Sequence, residues 1–435
     1  MRPRLAAVKV AVLDSGIDAG SPAFADRIAA GRSFVGGSWA VDTVGHGTFV
    51  AGVIAANPAS SRVAGIAFNA RLLIAKIVTA TGAIPIAAEV AAIHWAVKAG
   101  ARVINISWGA PRDPRDSRLD SYSFSERRAV EWAYSKDVVV VAAAGNGGPR
   151  GGMPWPYADY PAWLPNVLSV AALAQNGSIP AYSNHDLRRV DLAAPGTGIL
   201  STIPRALENT ANPECLGVSY SNCGPERLRG GDGTSFAAPQ VTAAAALLLG
   251  VDPALRPDQV MWLLERSAVR SSESSKCLDC RDDVHSSARG FGELDIQAAV
   301  DLLRSKRPLP PPDVLEPDDD TGNQAHPLRA PALVSTSEDY WDDPVDVFAI
   351  RVNRDQRLRA VVRARGGGAL TLRIWKPGTP DLIRARPSYL GASSVVEANV
   401  DLSYRAASTG TYYLEVVDER RAIGRNAYRL SVTLG

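Results

Sequence analysis

An aspartate, a histidine, an asparagine and a serine each stand at the edge of an apolar run in this sequence. Together they are the set that acyl transfer by a hydroxyl nucleophile requires. Asp14 ends VKVAVLD (8–14), His46 sits in GHGTFVAGVIAA (45–56), Asn146 ends AAAGN (142–146), and Ser235 lies in GTSFAAPQVTAAAALLLG (233–250). A serine hydroxyl attacks a carbonyl effectively only when a base takes its proton, a carboxylate orients that base, and donors receive the oxyanion. A serine where a turn enters a long apolar helix also gains unpaired backbone N–H groups and the positive end of the helix dipole. Singly, each residue has a bland reading: Asp14-Ser15 caps a turn, and Asn146-Gly147 is a common turn dipeptide. Their joint occurrence is what points to chemistry.

Such groups need a scaffold that brings distant segments together, and the first 305 or so residues are patterned to build one. VKVAVLD (8–14), RLLIAKIV (71–78), ARVINIS (101–107), DVVVVAAAG (137–145) and NVLSVAAL (166–173) are short, rich in β-branched residues and predict strands. Between them, AAEVAAIHWAVKAG (87–100) and FSERRAVEWAYSK (124–136) carry apolar residues at helical spacing. The alternation predicts an α/β fold, a parallel sheet with helices on both faces and its site at the C-terminal ends of the strands. At KRPLPPPDVLEPDDD (306–320) periodicity stops, and the prolines predict an exposed, semi-rigid spacer. Beyond it, VDVFAIRV (345–352), RLRAVVRA (357–364), ALTLRIW (369–375), TYYLEVVD (411–418) and AYRLSVTL (427–434) predict an antiparallel β-sandwich without helices. The expected organisation is a catalytic domain over 1–306, a linker over 307–317 and a sandwich over 318–435.

DSGID (14–18), GHGTFVAG (45–52), SWG (107–109), AAGN (143–146) and GTSFAAP (233–239) resemble the five signature segments of the subtilisin-like serine proteases, in the same order. GFGELDIQAAV (290–300) resembles the segment closing their catalytic domain, so the resemblance covers residues 5–305. It implies a serine endopeptidase that hydrolyses polypeptides through an acyl-enzyme on a subtilisin-like parallel sheet. Position by position, it makes Asp14 the orienting carboxylate, His46 the general base and then acid, and Ser235 the nucleophile. Asn146 becomes the side-chain donor to the oxyanion, beside the Ser235 N–H. Ser107, Trp108 and Gly109 match the strand that pairs with substrate and walls the primary specificity pocket. In ADYPAWLPNVLSV (158–170), the residue before the Tyr-Pro step matches the base of that pocket. Here it is Asp159, which would meet a Lys or Arg side chain preceding the scissile bond. The competing reading turns Asp159 to solvent or uses it to cap the Tyr160-Pro161 turn.

The resemblance implies no cofactor for the chemistry and leaves structural calcium open, with no metal ligands assigned. Phe49 stands where many members carry a second histidine, and 204–231 form a long insertion. A looser resemblance links EPDDDTGNQAHPL (316–328), DDPVDVFAIRV (342–352), GTYYLEVVD (410–418) and AYRLSV (427–432) to the bacterial pre-peptidase C-terminal domain. There Asp342, Asp343 and Asp346 are read as a solvated acidic turn in preference to calcium ligands.

Other classes are weighed against these residues. GTSFA (233–237) is one residue from the G-x-S-x-G elbow of esterases, but those enzymes carry their acid and histidine after the serine, and here both precede it. A homologue that only binds would have no chemical reason to keep Asp14, His46, Asn146 and Ser235 together. The 47 basic and 45 acidic side chains give a net charge of +2 spread along the chain, which offers no electrostatic case for nucleic acid or an anionic membrane. No apolar run approaches the roughly 18 residues of a membrane span. MRPRLAAVKVAVL (1–13) has the early arginines of a signal peptide, but Lys9 interrupts it and it leads straight into Asp14, so a buried strand is the better reading. Cys215 with Cys223 and Cys277 with Cys280 allow three pairings or a zinc site; two local disulfides are the preferred reading, as suits an exported protein. The expectation is a monomer, secreted or extracytoplasmic. Asp42 is expected to support the turn before His46, His94 to pack or face water, and His185, His285 and His326 to be solvated.

Overall fold

The structure is a computed structural model; it describes the chain except residues 1–6, 152, 208–227, 271–284, 312–314, 316–324, 339–344, 366–369, 380, 383–389, 396–398 and 419–425. The four cysteines, Asp342 and Asp343 lie outside the described residues, and so do the disulfides expected there. The chain divides into two compact units, Met1–Pro310 and Pro311–Gly435.

The first unit is built on seven strands: β1 (Lys9–Asp14), β2 (Ile28–Ser33), β3 (Arg71–Lys76), β4 (Val103–Ile106), β5 (Val139–Ala143), β6 (Val167–Leu173) and β7 (Leu192–Pro195). They form one sheet in the order β2-β3-β1-β4-β5-β6-β7, with every pair parallel. The five expected strands are its centre. The edge strand β2 was not legible because its residues are exposed or only half covered and so show no apolar run. Among the described residues the unit has six α-helices: α1 (His46–Ala55), α2 (Ile86–Lys98), α3 (Phe124–Tyr134), α4 (Thr234–Val251), α5 (Pro257–Ser267) and α6 (Ile296–Arg304), of which α2 and α3 are the two expected from helical spacing. Alternate strand residues divide between the two faces of the sheet. Val10, Val12, Leu72, Ile74, Val139 and Val141 join Phe49, Phe236 and Val241 of α1 and α4 in one core. On α2, His94 packs its ring against Trp132 of α3, with centroids 4.4 Å apart.

Helix α4 corrects one expectation. It has 18 residues at a mean hydropathy of 1.4, long and apolar enough to cross a membrane by length and composition. Yet 78% of that stretch is buried inside the protein, as the central core helix of the unit. A hairpin of β8 (Ile199–Thr202) and β9 (Leu228–Gly231) precedes it. The proline-rich segment is also less free than expected. Leu309 packs against the core, and the Pro310 carbonyl accepts hydrogen bonds from Arg256 (2.8 Å) and Gln259 (3.1 Å).

The second unit holds β10 (His326–Leu328), β11 (Ala332–Glu338), β12 (Val345–Val352), β13 (Arg357–Ala364), β14 (Leu370–Trp375), β15 (Gly391–Val395), β16 (Asn399–Arg405), β17 (Gly410–Asp418) and β18 (Asn426–Leu434). Two sheets, β10-β12-β17-β14-β15 and β11-β18-β13-β16, enclose a core that includes Phe348, Ile350, Leu358, Leu414 and Leu430. This is the expected β-sandwich, antiparallel apart from the short parallel pair β10–β12. Asp346 departs from the solvated reading: it is fully buried and accepts a hydrogen bond from the Tyr428 hydroxyl.

Candidate active site

Asp14 is the last residue of β1, at the C-terminal edge of the sheet. Helix α1 starts with His46, which must come close to that edge. Gly47 makes the approach feasible, since a Cβ there would stand 2.2 Å from the Gly16 carbonyl oxygen. The result is an imidazole whose Nδ1 lies 3.0 Å from both carboxylate oxygens of Asp14, a position that fixes the tautomer with Nε2 as the free base. The Ser15 N–H donates to Asp14 Oδ1 at 2.7 Å and holds the carboxylate in place.

Beneath the pair, Asp42 collects the loose donors of the helix start. Its Oδ1 accepts from Ser15 Oγ (2.8 Å) and the Gly45 N–H (2.7 Å), and its Oδ2 from the Thr48 N–H (2.9 Å) and Oγ1 (2.7 Å). That is the turn support expected of Asp42. Burial alone would lower the pKa of His46, but the charge and hydrogen bond of Asp14, with a further contribution from Asp42, outweigh it and raise the imidazole above its ordinary value.

Ser235 is the second residue of α4, after Gly233 at φ 154°. Proline at 239 has no N–H to give the carbonyl four residues back, which is that of Ser235. The orphaned carbonyl is taken up across the fold by Ser107 Oγ at 2.8 Å. Ser107 is in turn held by the Asn105 side-chain amide (2.9 Å), and Asn105 by the Thr242 hydroxyl (2.8 Å), all buried. A polar chain through the apolar core therefore fixes the turn carrying Ser235, and a satisfied network of this kind is rigid. The Ser107 side chain serves that chain. The rings of Trp108 and Phe236 bracket His46, with centroids 4.7 and 5.5 Å away.

Asn146 lies just past β5, exposed, with its Oδ1 accepting from the Thr234 N–H (2.9 Å) and Oγ1 (2.9 Å). Thr234 Oγ1 also receives the Gly145 N–H at 3.2 Å, so the asparagine is pinned to the first turn of α4 through its side-chain oxygen. Asp159 is 8% exposed and does not face solvent. Its N–H donates to the Ala144 carbonyl (2.9 Å), and the neighbouring Tyr160 exchanges two hydrogen bonds with Ala110. The carboxylate is thereby set close against two glycines: Oδ2 is 2.3 Å from where a Cβ on Gly145 would stand and 3.2 Å from one on Gly109. Oδ1 accepts from the Asn184 amide at 3.2 Å, and the Arg112 backbone N–H also donates to the carboxylate. Burial pushes the Asp159 carboxyl up to about 7, opposed by the Arg112 hydrogen bond.

Residues 6–293 match the subtilase family, peptidase group S8, two thirds of the chain. The chain belongs to the subtilase family. It is 34% identical to subtilisin DY of Bacillus licheniformis over 268 residues, covering 61% of this chain and 85% of that protein. It is 35% identical over 262 residues to an alkaline protease of Alkalihalobacillus alcalophilus, covering 60% of this chain and 59% of the relative. In fold it is similar to the prenylagaramide maturation protease PagA, with a TM-score of 0.53, 27% identity, and coverage of 69% of this chain and 94% of that one. This subtilase is a serine endopeptidase, and its substrates are polypeptides.

The fold of this subtilase thus brings Asp14 to His46, and Asn146 and Ser107 to the turn of Ser235, although the residues come from five separate segments. Sequence reasoning missed Asn105, Thr242, Thr234 and Asn184. Thr234 was readable, since it precedes the serine in GTSFAAP; Asn105 and Thr242 are single polar residues inside the predicted strand 101–107 and the apolar run 233–250, and Asn184 sits in a segment with no local pattern of its own. His285 was expected in solvent but is buried, its Nε2 2.7 Å from the Val190 carbonyl and its ring on Phe291; burial lowers its pKa to about 4, against the Val190 bond.

Proposed function

We propose that this endopeptidase acts through Asp14, His46 and Ser235. His46 Nε2 takes the proton as Ser235 Oγ attacks the scissile carbonyl. The Asn146 NH₂ group and the Ser235 N–H receive the oxyanion, and the imidazolium returns its proton to the leaving amine. Water then repeats the sequence on the acyl-enzyme. The observation that carries this reading is the double approach of Asp14 to His46 Nδ1, since a carboxylate so placed orients the base and stabilises its charged form. A fluorophosphonate probe tests it: stoichiometric labelling at Ser235 that is lost in His46→Ala is expected, and labelling elsewhere would overturn the assignment.

Asp159 forms the base of the primary specificity pocket, where it receives Lys or Arg. Two features support this. Its carboxylate lies against Gly109 and Gly145, two residues whose missing side chains let it sit there, and no Lys or Arg side chain among the described residues pairs with it. A buried carboxylate without a counter-ion is costly, and a cationic substrate side chain supplies one.

The reading extends to the whole chain: a monomer, exported as its subtilisin relatives suggest, with catalytic domain, linker and sandwich at 1–306, 307–317 and 318–435. The sandwich resembles a pre-peptidase C-terminal domain. The chemistry uses no cofactor. Structural calcium is assigned no ligands, because no group of three or more His, Cys, Asp or Glu side chains fit to hold a metal occurs among the described residues.

A further inference from the structure

Asn146 is flanked by Gly145 at φ +107° and Gly147 at φ +119°. A Gly-Asn-Gly segment in such conformations has no local preference that would hold an oxyanion donor still. Something outside the segment must do so. On one side is Thr234, bonded to Gly145 and Asn146. On the other is Asn184, fully buried, which uses its backbone and both ends of its amide at once. Its N–H donates to the Gly145 carbonyl (3.0 Å), its Oδ1 accepts the Gly147 N–H (2.7 Å), and its Nδ2 donates to Asp159 Oδ1 (3.2 Å). The absence of a side chain at Gly145 makes room for this contact, since a Cβ there would stand 2.3 Å from Asn184 Nδ2.

We propose that Asn184 is a positioning residue that joins the base of the specificity pocket to the oxyanion segment, so that the pocket's charge and occupancy bear on turnover as well as on binding. The proposal rests on the roles given above to Asp159 and Asn146. A hydrogen bond to an ionised acceptor is roughly twice as strong as a neutral one. A substrate cation that keeps Asp159 ionised therefore tightens the Asn184 anchor, and with it the segment that stabilises the tetrahedral intermediate. An apolar side chain in the pocket leaves Asp159 free to take a proton and the anchor weaker. Binding energy at a remote part of the substrate is then realised in the transition state.

Kinetics on the full chain, normalised to active sites titrated with a fluorophosphonate, test this. Asn184→Ala is expected to lower kcat about 10- to 100-fold with KM within about twofold, and to weaken a peptide aldehyde, which binds as an oxyanion adduct, by the same factor. Made in an Asn146→Ala background, the same substitution should cost less than about threefold, because the group it positions is gone. An undiminished loss in that background, or a loss in KM alone, would show a merely structural residue and overturn the proposal. If Asn184→Ala does not accumulate folded, Asn184→Ser, too short to reach both Gly147 and Asp159, is read in the same cycle. The pocket reading is judged separately, by Asp159→Asn on Lys and Leu substrates. If that variant shifts selectivity while the Asn184 and Asn146 effects add, the link fails and the pocket stands; unchanged selectivity fails the pocket itself.

Discussion

If Asp159 is the base of the pocket, its removal and its protonation should have the same effect on selectivity. The carboxylate is 8% exposed and has neutral donors only, so a substrate ammonium or guanidinium arriving there forms a partly desolvated pair. Two unit charges 4 Å apart attract by about 4 kcal/mol at an effective dielectric of ~20. Close charge pairs at interfaces couple by about 1.5–7 kcal/mol, and desolvating the incoming cation takes part of that back. A net loss of about 2–4 kcal/mol in Asp159→Asn translates, at ~1.4 kcal/mol per factor of ten, into roughly 30- to 700-fold in kcat/KM for Lys and Arg substrates. Leu or Phe substrates should lose little or gain.

The pH dependence follows from the same group. With its carboxyl raised to about 7, Asp159 is mostly neutral in mild acid, so the preference for a cation is lost as pH falls through that value and is complete above it. Because kcat/KM reports the free enzyme, the ratio of kcat/KM for matched Lys and Leu peptides should fall about tenfold per pH unit below ~7. His46 must be neutral for both substrates, so its titration cancels in the ratio. A ratio that is flat with pH and unaltered by Asp159→Asn would refute the reasoning.

The triad reading predicts that Ser235→Ala lowers kcat by about 10⁶, the size seen in subtilisin itself, and that Asn146→Ala costs about 10²–10³, again the subtilisin value. Both are read by single-substrate kinetics, and substantial peptidase activity in Ser235→Ala would remove Ser235 from the mechanism. Glu89 on α2 and Glu126 on α3 are buried and hydrogen-bonded to each other, and burial raises Glu89 to about 7 and Glu126 well above its ordinary value. The folded state then holds protons the unfolded chain releases, so their contribution to stability is present in acid and is lost as pH rises through about 7. Melting of the inactive Ser235→Ala protein should show a decline in Tm between pH ~5 and ~8 that Glu89→Gln makes shallower; an equal decline in both would exclude the pair as its cause. Limited proteolysis should spare the chain at Pro310, whose carbonyl is held by Arg256 and Gln259, and cut after Pro311. A truncation at Pro310 that fails to fold would show that the first unit is not autonomous.

Much of this was legible in the sequence because the sheet is parallel and buried on both faces. Central strands such as β1 and β5 then read as continuous apolar runs, and the turns at their C-terminal ends expose the residues that matter. Asp14, His46, Asn146 and Ser235 each follow such a run or open a helix, so residue type and position pointed the same way. What was lost lay where burial is partial or the partner is far off in sequence. Edge strand β2 is half exposed, and Asp346 is an acid in a core position whose Tyr428 hydroxyl partner lies 82 residues away in the chain. The linker misled for a related reason: prolines predict extended chain but do not say whether its carbonyls find donors, and Pro310 finds two.

Pro239 shows how a local rule can nevertheless reveal a distant contact. A proline six residues into a helix deprives one carbonyl of its partner, and here that carbonyl belongs to Ser235. A buried orphan carbonyl costs about 1–3 kcal/mol, so a donor from elsewhere in the fold has to be supplied. Sequence alone implies the vacancy; only the fold reveals that Ser107 fills it and that Asn105 and Thr242 stand behind. The arrangement commits the side chain of Ser107, a residue matched to the substrate-binding strand, to the Ser235 carbonyl and the Asn105 amide. If the 107–109 segment pairs with substrate, it does so through its backbone, because the Ser107 hydroxyl is used to hold the turn of Ser235. Ser107→Ala should therefore lower stability and kcat together while leaving selectivity among pocket side chains unchanged. A changed Lys-to-Leu ratio in Ser107→Ala, with stability intact, would place its side chain in the pocket instead.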